Sequence, residues 1–156
     1  MSGDVEHPPP LARLFAMAYR HLVDALHERL RARGWDDVRP AFGFALLAAR
    51  DTPTTTSELA TLMGTTKQAA SKLAATMIEA GYLVQRADAD DARRRPLALG
   101  PRGTRLLADV EEIYRELEAE WAHLIGASDL EHLRTTLRTA VVSLHAGELP
   151  PVRPIW

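Results

Sequence analysis

Residues 57–103, with the sequence SELATLMGTTKQAASKLAATMIEAGYLVQRADADDARRRPLALGPRG, carry most of the information about the fold. Their first half predicts two short helices separated by Gly64. Thr55 with Glu58 has the pattern of a capping box, and Thr65 with Gln68 repeats that pattern after the glycine. Two short capped helices joined by a tight turn are typical of a helix-turn-helix.

The second half of this stretch predicts a β-hairpin. Gly81 is expected to end the second helix as its C-terminal cap. Two strand-like runs follow, YLVQR at 82–86 and RPLAL at 95–99, joined by a strongly charged segment. A hairpin directly after a helix pair is the order of a winged helix-turn-helix, in which the hairpin forms the wing.

The second helix has two chemically different faces. Ala70, Ala74 and Met77 lie on an apolar face that we expect to be buried. The opposite face is polar and carries residue types that can bind DNA. In the major groove of DNA, glutamine can pair with adenine and lysine with guanine, and hydroxyl groups can bind phosphate. An ordinary solvated helix face has a similar composition. The candidate DNA-binding residues on the opposite face are Thr66, Lys67, Gln68, Ser71, Lys72 and Thr76.

The charged segment of the hairpin is the second candidate DNA-binding element. Acids at a DNA-facing tip would be repelled by phosphate, so their presence needs a structural reason. We expect Asp91 to brace the guanidinium of Arg93, whose ordering otherwise costs about 2 kcal/mol of rotamer freedom. A braced Arg93 suits a narrow minor groove. Arg94 and Arg95 are expected to meet phosphates or the wing's own acids. The alternative is a solvated loop without function.

The charge distribution supports a local nucleic-acid face. Residues 64–105 carry eight Lys/Arg and four Asp/Glu, a net charge of +4, so the rest of a chain with a total of -2 carries -6. A basic third on an acidic body favours a local rather than an indiscriminate interaction with a polyanion.

The segments on either side of the helix pair predict four more helices. The first should follow Pro10 and stop near Gly34, and the second should begin near Pro40. A long helix follows the hairpin and ends at Gly126. The remaining capping residues expected from the sequence are Asp36 or Asp37 for the second helix, and Ser128 with Glu131 for the last.

The composition excludes several classes of function. The chain has no cysteine, which excludes disulfides, thiolate metal sites and thiol redox sensing. Its six histidines show no close paired spacing, so neither a metal nor a cofactor is expected. No apolar run is long enough to cross a bilayer, and the first residues lack the pattern of a signal peptide. We therefore expect a cytoplasmic protein that does not interact with membranes.

The helix pair and the wing resemble the DNA-binding core of the MarR family of bacterial transcriptional regulators. The wing is similar to the family's acid-Pro-x-Asp-x-Arg signature, followed by apolar-x-Leu-Thr-x-x-Gly. Ala89 replaces the usual proline, which is expected to loosen the wing tip, and Gly100 replaces the usual threonine, which removes a cap from the long helix. The matching residues are Leu59, Ala60, Leu62, Gly64, Ser71, Leu73, Gly81, Tyr82 and Leu83 in the helix pair, and Asp88, Asp91, Arg93, Leu97, Leu99 and Gly103 in the wing.

The resemblance implies a mainly α fold with a small β-hairpin wing, flanked by N- and C-terminal dimerisation helices. We expect one MarR-like domain over residues 1–156, with the winged lobe at 36–103 and dimerisation helices at 8–34 and 104–156. A homodimer would place two recognition helices about one DNA turn apart on a pseudo-palindromic operator. The terminal PPVRPIW, ending at Trp156, is either part of the dimer packing or a frayed tail.

The function implied by the resemblance is that of a transcriptional regulator of double-stranded DNA, acting as a repressor and released by a small aromatic or phenolic effector. Candidate effector-binding residues are His21, Trp35, Phe42 and Phe44, although aromatic residues at helical spacing more often belong to a core. The alternative is a winged-helix protein-interaction module without DNA binding. An enzyme is not expected, because the chain has neither a phosphate-cradling glycine loop nor a nucleophile elbow.

Overall fold

The structure is a computed structural model that describes residues 8–88, 90–91 and 93–152. Ala89 and Trp156 lie outside the described residues, and so do the expectations of a loosened wing tip and a packed tail. The mainly helical fold with a small hairpin is confirmed. Within the described chain the elements are α1 Leu11–Ala32, α2 Pro40–Arg50, α3 Thr56–Met63, α4 Lys67–Glu79, β1 Leu83–Gln85, β2 Leu97–Leu99, α5 Pro101–Ile125 and α6 Ala127–Leu144.

The wing is an antiparallel hairpin that is tied to the helix pair. Leu83 of β1 pairs with Leu99 of β2, and Gln85 pairs with Leu97. The N–H of Thr54 donates to the carbonyl of Leu97 (2.9 Å), and the N–H of Leu97 donates back to Thr54 (2.7 Å). An isolated two-stranded hairpin is marginal in water. The bridge from the segment before α3 and the burial of Leu83 and Leu97 in the core supply the missing support.

The core of the winged lobe takes one apolar stripe from each element. Leu46 of α2, Leu59 of α3 and Met77 of α4 are completely buried. Ala70 and Ala74 are also buried, and their small side chains let α4 lie close against α3. Because this face of α4 is held by the core, the opposite face has to point outward.

Most of the predicted helix ends are confirmed. The hydroxyl of Thr55 accepts from the N–H of Glu58 (3.2 Å), and the Glu58 carboxylate accepts from the N–H of Thr55 (2.7 Å), which completes the capping box. Gly64 turns the chain with a φ of 63°. After α4, Gly81 has a φ of 79°, and the N–H of the following residue donates to the carbonyl of Met77 (2.8 Å). This is the hydrogen bonding of a glycine-terminated helix.

The predicted capping box of Thr65 with Gln68 is wrong. Thr66 is the N-cap of α4, and its hydroxyl accepts from the N–H of Ala69 (3.1 Å). The prediction for the last helix is also wrong. The N-cap of α6 is Gly126, so Ser128 lies inside the first turn.

The predicted acidic cap of α2 is wrong as well. The residue before the helix is Arg39, which makes no side-chain capping bond, and the helix begins with Pro40. Proline needs no N–H partner at this position, so the first turn has one donor fewer to satisfy. Asp37 makes hydrogen bonds with Tyr82 and Arg102 instead.

Gly100 leaves α5 without a side-chain cap, as predicted from the missing threonine. A Cβ atom at this position would lie 2.5 Å from the carbonyl oxygen of Gly81. The φ of Gly100 is -82°, which any residue can adopt. Glycine is therefore needed here because two backbones approach closely, and not because of an unusual backbone angle.

The long helices form a second layer beside the winged lobe. α1 packs along α5, and Arg29 of α1 and its C-cap residue Arg33 form ion pairs with a row of carboxylates on α5. α6 also packs along α5, yet none of its residues is buried within the described chain. No described helix has both the length and the apolar character needed to cross a membrane. The carboxylates in the row are Asp109, Glu112, Glu116 and Glu120.

Candidate nucleic-acid interface

The outward face of α4 is polar and cationic, and most of its side chains have no partner within the described chain. Lys67, Gln68, Ser71 and Lys72 are all exposed. Within the described chain, their side chains make no hydrogen bond or ion pair. Thr66 and Thr76 lie on the same face but are engaged, Thr66 as the N-cap and Thr76 through a bond from its hydroxyl to the backbone carbonyl of Lys72 (3.1 Å). The donors of the lysines and Gln68 are therefore available to a partner outside the chain.

Arg94 anchors the wing to α3. Its guanidinium pairs with Glu58 (3.0 Å) and with Asp88 (3.6 Å). The same Glu58 carboxylate takes part in the capping box at the start of α3. The N–H of Thr55, assisted by its hydroxyl and by Arg94, lowers the pKa of Glu58 below its ordinary value. Of the two roles expected for Arg94, pairing with a wing acid is confirmed by its contact with Asp88. Arg94 also pairs with Glu58, which lies too far away in the sequence to have been predicted.

The expected brace between Asp91 and the guanidinium of Arg93 is not what the structure shows. The Asp91 carboxylate accepts from the backbone N–H of Arg93 (2.9 Å), and the Asp91 carbonyl accepts from the N–H of Arg94 (2.9 Å). A carboxylate two residues before an N–H readily closes such a turn. Asp91 therefore shapes the backbone at the wing tip and does not engage the guanidinium.

This turn leaves two wing arginines free. Arg93 and Arg95 are exposed, and neither forms an ion pair with another described residue. The three consecutive arginines consequently have different roles: Arg94 holds the wing in place, whereas the flanking guanidinium groups remain available. Their binding to DNA stays a prediction.

An apolar cavity lies elsewhere in the described residues, between α1, α2 and α5. It has a volume of 160 Å³. Of the four predicted effector-binding residues, only Phe44 lines it. Burial and the neighbouring charge of Arg31 lower the pKa of His27 at its wall. The residues that give the cavity its aromatic and polar character are Tyr19, His27, Arg39, Phe44, Glu111 and Tyr114.

The other three effector candidates do not line this cavity. His21 is exposed on α1. Phe42 is 2% exposed and packs edge-on against Tyr82, with ring centroids 5.3 Å apart. The indole N–H of Trp35 donates to Asp109 (2.6 Å). Trp35 and Phe42 therefore both contact the protein's own side chains, as expected when aromatic residues at helical spacing form a core.

The helical spacing of Tyr19, His27 and Leu30 on α1 was a signal for the cavity wall. It could not be used at the sequence level, because the same spacing also describes a helix packed without a gap. Only the orientation of α1 against α2 and α5 decides which of these residues border an open volume.

The fold and the outward face of α4 define a winged helix-turn-helix protein. The model of the MarR family matches residues 44–94, which run from α2 to Arg94 in the wing. Among curated proteins, no sequence matches this chain significantly.

Solved structures share the fold over most of the chain. The transcriptional regulator Tm0710 from Thermotoga maritima is 20% identical, covers 89% of this chain and 98% of its own, and superposes with a TM-score of 0.67. A mutant of MarR from E. coli is 20% identical, with coverages of 86% and 98% and a TM-score of 0.67. A mutant of MepR from S. aureus, bound to an oligodeoxyribonucleotide, is 20% identical, with coverages of 88% and 100% and a TM-score of 0.60.

MepR from S. aureus has also been solved bound to ethidium bromide, at 20% identity and with a TM-score of 0.60. At these identities the likeness establishes the fold. Together with the family model it confirms the resemblance seen in the sequence. Residues 44–94 match the model of the MarR family, and most of the chain shares the winged-helix fold of these regulators.

Proposed function

We propose that this protein is a homodimeric, sequence-specific DNA-binding transcriptional regulator that acts as a repressor. The observation that carries the proposal is the outward face of α4, where Lys67, Gln68, Ser71 and Lys72 are exposed without partners in the described chain. Glutamine and lysine side chains on an exposed helix can reach base edges in a major groove, and the serine can bind phosphate. The MepR structure with an oligodeoxyribonucleotide supports the use of this fold on DNA.

The free arginines of the wing extend this surface. Arg93 and Arg95 are exposed on a hairpin whose position is set by the pairing of Arg94 with Glu58. An arginine on a narrow hairpin fits the minor groove, where the negative potential is greatest over A·T tracts. The proposed reading of DNA thus combines base contacts from α4 with minor-groove contacts from Arg93.

The homodimer is supported by apolar surface that the single chain leaves open. α6 buries none of its residues within the described chain, and Leu124 at the end of α5 is 81% exposed. Several exposed large apolar side chains on the outer helices favour an interface. Further exposed apolar side chains on α1, at the end of α5 and at the end of α6 are Leu11, Leu14, Phe15, Ile125 and Leu144. A twofold dimer would present two copies of α4 to successive major grooves.

A salt titration tests DNA binding. We expect the protein to bind the DNA upstream of its own gene, with an affinity that falls steeply between about 50 mM and about 200 mM salt. Replacing Lys67 or Lys72 by alanine should reduce the slope of log K against log salt by about one for each lysine–phosphate interaction that the substitution removes. Fluorescence anisotropy with a labelled duplex provides the measurement.

Arg138→Ala is the matched control, since it removes one exposed charge from α6 and should leave the slope unchanged. A protein-interaction module without DNA binding would show no sequence preference, and the lysine and control variants would then behave alike. That result would refute the proposed function.

We further propose that a small aromatic or phenolic effector binds in the cavity between α1, α2 and α5 and releases the DNA. The cavity volume of 160 Å³ is suited to about one aromatic ring with small substituents. Its walls touch both the long helices and α2 of the winged lobe, so a ligand there can favour one relative arrangement over another. MepR with ethidium bromide supports the binding of an aromatic compound by this fold.

Filling the cavity should abolish the response to the effector. Gly43 lines the cavity, and a Cβ added to it meets nothing within 4 Å. Gly43→Leu should therefore keep DNA binding but lose release by phenols and aromatic acids that release the wild type. Release is measured by anisotropy of the labelled duplex. Ala108→Leu, on an exposed position of α5 outside the cavity, is the control. Equal release from both variants would place the effector elsewhere.

A further inference from the structure

The start of α5 is in direct backbone contact with the segment that links α4 to the wing. The N–H of Gly100 donates to the carbonyl of Tyr82 (2.9 Å). A Cβ atom on Gly103 would lie 2.1 Å from the same carbonyl oxygen. The segment that follows α4 and the beginning of α5 therefore meet through backbone atoms at Tyr82.

Arg102 lies at this contact and holds three elements together. Its guanidinium donates two hydrogen bonds to Asp37, both of 3.0 Å. It also donates to the carbonyl of Ala80 (3.2 Å), the C-cap residue of α4. The carbonyls at the end of a helix lack partners within the helix and carry its negative dipole end, so a cation at this place is favourable.

The faces of two aromatic rings complete the surroundings of Arg102. Its guanidinium carbon lies 4.4 Å from the ring centroid of Tyr82 and 5.5 Å from that of Trp35. The Tyr82 side chain is completely buried, and its hydroxyl donates to Asp37 (2.7 Å). Burial alone would raise the pKa of Asp37. The hydrogen bonds from Tyr82 and Arg102 outweigh this effect and lower the pKa of Asp37 below its ordinary value. Asp37 thus stays charged and is fixed from two sides.

The contacts continue from this cluster into the long helices. Trp35, which stacks against Arg102, donates its indole N–H to Asp109 of α5 (2.6 Å). Asp109 also accepts from Arg33 at the end of α1 (3.3 Å). A chain of direct contacts therefore leads from the last turn of α4 through Arg102 to both α1 and α5.

We propose that Arg102 is a positioning residue that fixes the direction of α4 relative to α1 and α5, and thereby the spacing of the two DNA half-sites that the dimer accepts. This inference rests on the proposed function. If α1, α5 and α6 set the dimer, then the angle between α4 and these helices sets the separation of the two recognition helices. That separation has to match about 34 Å, one turn of DNA.

Arginine is suited to this role for a geometric reason. Its planar fork can bond a carboxylate with two parallel hydrogen bonds while its faces stack on aromatic rings. Lysine would keep the charge but could not make the paired bonds to Asp37 together with the bond to Ala80. The direction of α4 should therefore depend on the fork and not only on the charge.

The first test measures half-site spacing. Arg102→Met keeps the aliphatic stem and removes the fork, and Arg105→Met is the matched control on the same helix, where the arginine is exposed and forms no ion pair within the described chain. The ratio of affinities for the natural operator and for one lengthened by one base pair at its centre is measured by anisotropy. We expect this ratio to fall by about tenfold in Arg102→Met and to stay unchanged in the control.

The ratio separates positioning from simple loss of stability. A variant that is partly unfolded binds both operators with proportionally lower apparent affinity, so its ratio is preserved. Arg102→Lys should give a ratio closer to Arg102→Met than to the wild type. If Arg102→Met does not fold, Asp37→Asn is used in its place. The asparagine weakens the hydrogen bonding to the Arg102 guanidinium but keeps an oxygen that can accept from Tyr82.

The second test does not use DNA. The chain has no cysteine, so Ser71→Cys on α4 and Ala119→Cys on α5 introduce two unique sites for spin labels. Labelled protein is diluted with unlabelled protein, and the distance distribution within one chain is measured by double electron–electron resonance. The distribution should broaden with Arg102→Met and remain as narrow as in the wild type with Arg105→Met.

The two tests distinguish the failure of this inference from the failure of the proposed function. A broadened distribution, together with a wild-type protein that binds no operator, would refute the proposed function and retain the positioning role of Arg102. An unchanged distribution would overturn the inference, whether or not the wild type binds DNA. An unchanged spacing ratio in an operator-binding protein would overturn it as well.

Discussion

Gly103→Ala is expected to destabilise the protein by about 3 kcal/mol or more, because overpacking of a buried site forces backbone movement. The added Cβ would lie 2.1 Å from the carbonyl oxygen of Tyr82 and 2.9 Å from a methyl group of Leu46. The first of these clashes is with backbone that is fixed by the end of α4 and the start of β1. Relief therefore requires α5 to move away from the winged lobe.

Thermal unfolding measures this effect, with an expected lowering of Tm by about 10 °C for a chain of this size. Gly43→Ala is the control, since it makes the same change within a helix where nothing lies within 4 Å of the new Cβ. Alanine is favoured over glycine inside a helix by about 0.5–1 kcal/mol, so the control should gain stability. Equal Tm values for the two variants would show that α5 does not pack against Tyr82 as described.

Arg93→Ala is expected to weaken operator binding by about 1–3 kcal/mol, or about 5- to 150-fold in Kd. Arg93 is exposed, and its guanidinium has no ion-pair partner among the described residues, whereas its backbone is fixed by Asp91. A free guanidinium on a fixed backbone can enter a minor groove with little reorganisation. The loss should be largest for operators with A·T-rich flanks, where the groove is narrow.

Two variants separate the wing from the recognition helix. Arg94→Ala removes the ion pair with Glu58 that positions the wing, so it should weaken binding and reduce the flank preference less than Arg93→Ala does, because Arg93 is still present. Gln68→Ala should relax the preference inside the half-site and leave the flanks unchanged. All three are measured by anisotropy on operators that differ only in flank or half-site. If Arg93→Ala left affinity and flank preference as in the wild type, the wing would be a solvated loop.

The two largest expected effects concern different parts of the same arrangement. Gly103 permits the close approach of α5 to Tyr82 between α4 and β1, and Arg93 lies in the wing that begins directly after that point. A defect at Gly103 should therefore lower DNA binding through loss of folded protein. A defect at Arg93 should lower DNA binding with Tm unchanged.

The features that the sequence predicted correctly depend on residues close together in the chain. Thr55 and Glu58 are three residues apart, and their capping box formed as expected. The spacing of Ala70, Ala74 and Met77 identified the buried face of α4, and with it the outward face. Such patterns are reliable because helix geometry alone places these residues together.

Predictions failed where two local solutions were close in energy. Thr65 and Thr66 both carry a hydroxyl that can cap a helix, and the path of the chain after Gly64 decided for Thr66. In the same way Asp37 could cap α2 or bind elsewhere. Two hydrogen bonds from Arg102 and one from Tyr82 are available to it in the folded protein, which outweighs a single capping bond.

By itself, the sequence determined the order of helices and strands, the turn at Gly64, the hairpin and the polar face of α4. Only the tertiary structure decided which charges are paired and which are free. Arg94 meets Glu58 across 36 positions, Asp37 meets Arg102 across 65, and Trp35 meets Asp109 across 74. The cavity beside Phe44 was decided in the same way. Secondary structure follows from interactions within a few residues, whereas ion pairs and cavities form only where the packing of helices brings distant side chains together.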